Sequence, residues 1–510
     1  MSFPQVFVVS WYTFGMSYIR KVTTTSGATA IQVVRKQSGK VVILKHVGSA
    51  NSPEQLDLLL KTAQDFLHAG QLTLFPETVK PLDIIQRQAY PEFLWQTLSQ
   101  LYDSLGFSGI PNTIFRQLVI ARIIEPSSKL DTVRIIREFG IAPPSNTAIH
   151  RCLDKTVANN WRQLAESTCF KLVGPSTLSL ILYDVTTLYF EAQKEDEFRK
   201  PGISKERRLE PQIVIGLLVD RVGFPLAIHE FEGNKAETKT MLPVIQHFLT
   251  THNLTDITIT ADAGMLSSGN LAEIEKNGLN FIIGSRLAKT PYELKCYSQF
   301  NRTPSDGEIL ETKQDFMCNG KKIRRRVVYQ YREKRARLDL KNIDKQVKKA
   351  ESIVSGKVTL KKAMFLEVAG QDKKLNQKLV NEHKARAGWK GYVTNLPQTG
   401  KKKVSPLEII NNYHQLFQVE KSFRMSKHDL KARPIYHYKL DSIRAHLTIV
   451  FVALAMARII EARTGMSLRK FLQVLKPIKT GLVEIGGVEY ETKPHISDEI
   501  ARIRDLVLGH

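Results

Sequence analysis

The chain has 510 residues, 42% of them hydrophobic, and carries 74 Lys and Arg against 50 Asp and Glu, a formal charge of +24. That length and apolar content predict sizeable cores in three or four domains, and so large a positive excess suits a polyanion, because each neutralised phosphate releases condensed counterions. Cys152, Cys169, Cys296 and Cys318 are scattered without zinc-ligand spacing, which indicates neither a disulfide framework nor a metal knuckle and fits a reducing cytoplasm.

Residues 3–15 are fairly apolar but lack the basic n-region and small-residue cleavage site of a signal peptide, and Met16 offers a second start. The longest apolar run, Leu447 to Ala457, is too short to span a bilayer and is bounded by His446 and Arg458, so it predicts a buried helix and no membrane partner.

In chain order, residues 1–75 read as a small αβ module. Ile31-Gln32-Val33-Val34 and Val41-Val42-Ile43-Leu44 are strands around the turn Gln37-Ser38-Gly39-Lys40, followed by a helix from about Pro53 to Leu67. Residues 83–175 change to a 3.6-residue period. Phe93, Leu94, Leu98, Leu101 and Leu105 form one stripe, and Ile114, Leu118, Ala121 and Ile124 another. The Arg116, Arg122, Lys129, Arg134 and Arg137 cations on this helical block suit a DNA-binding or dimerising module; a solvated basic face on a plain bundle is the alternative.

Residues 178–190 predict a strand in which Asp184 shares a face with Leu178, Leu180 and Leu182. A carboxylate on an apolar face needs donors or a metal. Ile213–Val219 and Pro225–Phe231 flank Asp220-Arg221-Val222-Gly223 as a hairpin, and a helix covers about Ala236 to His252. Ile257 to Asp262 is a short buried strand, Ser268 caps a further helix, and Phe281-Ile282-Ile283 is a fifth strand. The order β-β-β-α-β-α-β over residues 178–288, with Asp184 on the first strand and Asp262 ending the fourth, is that of a ribonuclease-H-like mixed-sheet α/β core. Asp262 before Ala263-Gly264 is by itself an ordinary turn residue; its pairing with Asp184 makes it a candidate ligand.

Residues 289–390 read as a β-rich basic insertion, with a hairpin over 308–331 around Asn319-Gly320 and a charged helix from about Glu333 to Ile353. Arg324, Arg325, Arg326 and Arg335, with Tyr329 and Tyr331 among them, form a candidate phosphate-tracking surface, a solvated charge run being the alternative. The core resumes over 391–465, and 466–510 is a C-terminal tail. Ser405-Pro406-Leu407-Glu408 starts a helix that the periodicity extends to about Lys427. Tyr413, Glu420 and Lys427 are seven apart and so share one stripe with Leu416, Phe417, Phe423 and Arg424. A Glu420–Lys427 structural pair is the alternative to a functional one.

Asp184 in Tyr-Asp-Val-Thr-Thr-Leu-Tyr-Phe, Asp262 in Ala-Asp-Ala-Gly-Met, and Tyr413, Glu420 and Lys427 in the pattern Tyr-x2-[Arg]-x3-Glu-x6-Lys resemble the DDE transposases of the insertion-sequence-four class, over roughly residues 17–465. Leu416 stands where that signature has Arg, and Tyr331-Arg332-Glu333-Lys334 spells the same letters with the wrong spacing. The resemblance implies metal-dependent cleavage at the terminal inverted repeats of a mobile element and strand transfer into target DNA. Asp184, Asp262 and Glu420 would hold Mg²⁺ or Mn²⁺, two ions in all, for in-line phosphoryl transfer. It further implies that Lys427 contacts a phosphate near the cut and that Tyr413 stacks on or positions a displaced base, with Arg424 or His414 partly replacing the missing guanidinium. Double-stranded DNA is the expected partner, a homodimer the expected active complex, and a prokaryotic cytoplasm, at the nucleoid, the expected location. A metal-dependent endonuclease without strand transfer, and an inactive transposase-derived DNA-binding protein, are the alternatives.

Overall fold

A computed structural model of the protein describes residues 17–24, 27–37, 39–68, 84–191, 195–202, 210–265, 268–285, 291, 294, 297, 302–318, 320–359, 363–369, 372–485 and 488–510. The Ser38 and Asn319 turn positions lie outside the described residues. The chain divides into two compact units, Met1–Ile84 and Ile85–His510.

In the first unit, β1 (Ser17–Thr23), β2 (Thr29–Gln37) and β3 (Lys40–Ala50) form an antiparallel sheet in that order, with α1 (Pro53–His68) against it. Ile31, Val33 and Ala63 are its buried centre. Gly48, at φ +154°, lets Leu59 approach the sheet, since a Cβ there would lie 2.9 Å from the leucine Cδ2.

The second unit opens with β4 (Ile84–Tyr90) and five helices: α2 (Glu92–Ser104), α3 (Thr113–Ile124), α4 (Lys129–Glu138), α5 (Asn146–Ala158) and α6 (Trp161–Val173). Asn112, Ser128 and Ser145 cap α3, α4 and α5 by accepting the amide protons of Phe115, Asp131 and Ala148. This helical block does not stand apart as a separate domain, because Leu94, Phe115, Ile120 and Leu153 share one apolar core with the sheet that follows.

The sheet is built from β5 (Leu180–Tyr189), β6 (Gln212–Asp220) and β7 (Pro225–Glu232), then α7 (Met241–His252), β8 (Thr258–Ala261), α8 (Ser268–Lys276) and β9 (Asn280–Ser285). After these come β10 (Ile309–Cys318), β11 (Lys321–Tyr331), α9 (Glu333–Val354), β12 (Leu366–Ala369), β13 (Asp372–Leu375), α10 (Gln377–Arg386) and β14 (Trp389–Thr394). Eight strands lie in the order β10-β11-β14-β9-β8-β5-β6-β7. β5, β8 and β9 pair in parallel and the remaining pairs are antiparallel, so this is a large mixed α/β sheet. The β6–β7 hairpin forms as its sequence predicts: Asp220 accepts from the amides of Val222 (3.0 Å) and Phe224 (2.7 Å), and Gly223 takes φ +86°.

The 308–331 hairpin, expected inside an insertion, instead extends this sheet through β11–β14 pairing. Only α9, the β12–β13 hairpin and α10 form a separate small core, around Ile343, Ala350 and Phe365.

The chain then forms α11 (Pro406–His414), α12 (Leu416–Arg424), a π-helical turn at Met425–Asp429, and α13 (Leu440–Thr464). α13 is long and apolar enough to cross a membrane, yet 89% of its most apolar window is buried inside the fold, as the Leu447–Ala457 run predicts. Residues 466–510 are not a loose tail. They form α14 (Leu468–Leu475), β15 (Thr480–Ile485), β16 (Val488–Thr492) and α15 (Asp498–Leu508). β15 lies between β16 and β4, and Ile503 and Val507 of α15 are buried in the large core.

Candidate active site

Along β5 the side chains alternate between two cores. Ile181, Tyr183 and Val185 belong to one; Leu180, Leu182 and Leu188 belong to the other, which also holds Tyr413, Val419 and Phe423. Asp184 has the parity of the second set and is half-buried. The last parallel pair between β5 and β8 is Tyr183↔Ala261. One step further come Asp184, on β5, and Asp262, the residue after β8, where neighbouring strand axes run about 4.8 Å apart; α11 packs on β8 and α12 on β5.

Asp262 is exposed and accepts a 2.9 Å hydrogen bond from the Tyr413 hydroxyl. The Tyr413 ring is 4% exposed, tilted against Tyr392 at 4.8 Å, and lies under the Lys390 ammonium, whose Nζ is 4.3 Å from its centroid. Gly284 makes this approach possible, because a Cβ there would stand 2.6 Å from the Tyr413 hydroxyl. Burial, then the Asp262 charge and hydrogen bond, push the Tyr413 phenol far up, so it remains a donor. Burial and the Arg335 charge pull Lys390 down, while Asp262 and Glu420 raise it; Lys390 thus feels both acids. His414, 3.4 Å from the Tyr392 hydroxyl, is lowered by burial, Lys390 and Arg332.

The helix carrying the third motif differs from its expected form. Instead of one helix to Lys427 there is a break at Gln415 between α11 and α12, and then the π turn, in which the Leu430 amide donates to the Met425 carbonyl at 2.9 Å. Both interruptions shift the angular phase, so the seven-residue spacing no longer defines one stripe. Tyr413 is buried, Glu420 exposed and Lys427 half-buried; Phe417 and Arg424 face solvent. Leu416 is 9% exposed within the apolar core, a position where a guanidinium would be desolvated. α12 packs on β5 and is tied to the β6–β7 turn by the Ser422 hydroxyl, which donates to the Gly223 carbonyl at 2.7 Å.

The predicted basic surface divides. Arg325, 3% exposed, pairs with Glu275 through bonds of 2.9 and 2.7 Å; Arg326 pairs with Glu311 and donates to the carbonyls of Pro397 (3.1 Å) and Val404 (2.9 Å). Both are fastenings of the sheet and present no phosphate-tracking surface. Arg324 is exposed, and Arg335, bridged to Asp339 at 3.5 Å, reaches the Lys390–Tyr413 group electrostatically.

Sequence reasoning missed Lys390 and Glu237. A Cβ on Gly264 would stand 2.7 Å from Glu237 Oε2, which brings a fourth carboxylate beside the Asp262 turn. The only signal for Lys390 is a lysine inside the aromatic strand Trp389-Lys390-Gly391-Tyr392.

Three carboxylates are hard oxygen donors of the type that Mg²⁺ and Mn²⁺ take. Among the described residues, no three Asp, Glu, His or Cys side chains close into a single metal-holding group. The donor chemistry is of the kind that suits these ions.

The strand pairing leaves Asp184 and Asp262 one residue beyond the last β5–β8 pair, and α12, which carries Glu420, packs on β5. The family is explicit: the model described as "Transposase DDE domain" matches residues 175–456, more than half of the chain, and the chain belongs to that family, the DDE transposases. Comparison with curated proteins finds no significant match. Among solved structures, the chain is similar to a piggyBac transposase in its synaptic complex with hairpin DNA. That likeness has 10% identity and a TM-score of 0.36, over 76% of this chain and 70% of that one.

Proposed function

We propose that this DDE transposase belongs to the insertion-sequence-four class and carries out metal-dependent cleavage at the ends of a mobile element, followed by strand transfer into target DNA. The observation that carries the reading is that Asp184 and Asp262 each lie one residue beyond the last parallel β5–β8 pair, Tyr183↔Ala261, while the helix bearing Glu420 packs on β5. The strand order β7-β6-β5-β8-β9, with only β5, β8 and β9 parallel, supports a ribonuclease-H-like core.

Asp184, Asp262 and Glu420 would hold two Mg²⁺ or Mn²⁺ ions, which supply activation of the attacking oxygen and stabilisation of the leaving one. Tyr413 holds Asp262 in place, and Lys390 adds positive charge beside Asp262 and Glu420. Lys427, Arg424, Arg335 and Arg324 would meet duplex DNA, while Arg325 and Arg326, paired with Glu275 and Glu311, build the sheet. The active complex would be a homodimer on paired element ends, at the nucleoid of a prokaryotic cytoplasm. The test is cleavage and joining of end-bearing duplexes by Asp184→Asn, Asp262→Asn and Glu420→Gln. Each variant is expected to lose both activities and keep DNA binding. Near-wild-type cleavage by any one refutes that residue's assignment, and wild-type cleavage without joining would make the protein a nuclease.

A further inference from the structure

A cavity of about 500 Å³ lies between α3, the start of α4, and the segment that leads from the π turn into α13. Its lining is basic: Arg122, Lys129, Lys431, Arg433 and His446 contribute, and Asp131 is the one acidic side chain among the described lining residues. Asp131 is occupied locally, accepting from the Ser128 hydroxyl at 3.0 Å while its amide donates back to Ser128 at 3.1 Å.

Of these basic groups Arg122 and His446 are buried, Lys129 and Arg433 are half-buried and Lys431 is exposed. Arg122 is 6% exposed, its Nε is buried without a hydrogen-bond partner, and it forms no ion pair among the described residues. His446 is 4% exposed; its Nε2 lies 3.1 Å from the Ala432 carbonyl, and its Nδ1 is buried without a partner. Desolvation pulls the Arg122 guanidinium down to about 10, and desolvation plus the Arg122 charge pushes Lys129 well down. A buried, unpaired cation costs several kcal/mol, so a fold retains such a group where something outside the chain pairs with it. The first turn of α4, through Ser127 and Ser128, opens on the same cavity and adds the positive end of a ten-residue helix.

We propose that this cavity is a phosphate site, in which Arg122, Lys129 and the first turn of α4 seat one backbone phosphate of bound DNA. The position suits a strand that runs on from the proposed active centre. The segment is pinned to the end of β5, the Ile435 amide donating to the Tyr189 carbonyl at 3.1 Å and Ile435 bridging Phe190. Tyr189 is five residues beyond Asp184 on β5, which at about 3.3 Å per residue is roughly 17 Å, or about five steps of a duplex at 3.4 Å each. Tyr436, 54% exposed at the rim, offers a ring beside that phosphate. The DNA source rests on the function proposed above; the anion site itself does not.

The experiment uses the full chain, with inorganic phosphate and a mixed-sequence duplex as separate probes. Inorganic phosphate is expected to raise the melting temperature of the wild type. Arg122→Met is expected to melt no lower than wild type without phosphate, because it removes an unpaired charge, and to lose the phosphate response. Its duplex affinity should fall about tenfold, with a log–log salt slope shallower by about 0.9, the value for one phosphate no longer neutralised. Lys129→Gln, half-exposed and safer for folding, should reproduce the loss of response and slope. A lower melting temperature with an unchanged phosphate response would make Arg122 a structural cation and overturn the site. A lost phosphate response with unchanged duplex affinity and slope would overturn the DNA assignment in favour of free phosphate. Failure of cleavage sinks the preceding proposal alone, since none of its test residues lines this cavity.

Discussion

Replacing Tyr413 by Phe removes one oxygen and leaves the ring, its packing on Tyr392 and the Lys390 ammonium above it. What is lost is the 2.9 Å hydrogen bond to Asp262. Bonds to charged acceptors contribute about 1.5–3 kcal/mol when desolvated, but Asp262 is exposed and water will take the vacated place, so the lower end applies. About 1.4 kcal/mol, expressed as misorientation of Asp262, is roughly tenfold in rate. The assay is single-turnover cleavage on fully paired ends and on ends whose terminal base is already unpaired, with a melting curve alongside. The expected result is a loss of about tenfold on both substrates at nearly unchanged melting temperature, because a ring that is 4% exposed cannot leave its core to stack on a base. A defect confined to fully paired ends would restore base stacking and refute the positioning role. A large drop in melting temperature without a rate loss would reduce Tyr413 to scaffolding.

Arg325→Ala should destabilise the fold by about 3 kcal/mol, since it strands Glu275 without the guanidinium that is 1% exposed. The neighbouring exposed Arg324→Ala should change stability by less than about 0.5 kcal/mol and flatten the salt dependence of DNA binding by up to about 0.9; equal behaviour of the two in urea melts would contradict the burial argument. Glu166 accepts from the Ile228 amide at 3.0 Å, and burial raises it from 4.5 to about 7. Because the folded value lies above the unfolded one, the protonated acid is accommodated below about pH 4.5. That contribution is lost as pH rises through 7, where ionisation costs roughly 3 kcal/mol. Melting temperature should therefore fall from pH 5 to 8 in the wild type and hold steadier in Glu166→Gln, and parallel profiles would remove Glu166 as the cause.

Much of the central sheet was legible, because its signals are local. Asp184 within an apolar period-two run, the Asp220 to Gly223 turn and the α7, β8, α8, β9 succession each follow from the spacing of a few neighbouring residues. That 308–331 joins the main sheet was hidden for the opposite reason. Nothing within β10 or β11 says that Val327 and Val328 will pair with Val393 and Tyr392, more than sixty residues on. The same distance hides the role of the basic run. Arg324, Arg325 and Arg326 are consecutive and chemically identical, yet Glu275 and Glu311 claim two of them and leave the third in solvent.

The site shows how chemistry survives a geometric error. Placing Tyr413, Glu420 and Lys427 on one stripe assumes an unbroken 100° step, and the break at Gln415 and the π turn at Met425–Asp429 remove that assumption. Breaking the phase separates duties that a straight helix would have forced together. The aromatic turns inward, where its hydroxyl reaches Asp262, and the acid turns outward, where α12 carries it over β5. A continuous helix that buried Tyr413 this deeply would have carried Glu420 into the same apolar core, where its ionised form is costly. The interruption at Gln415 lies between the buried tyrosine and the exposed glutamate. The lysine that senses both acids, Lys390, comes from β14, a strand that no spacing rule connects to either motif.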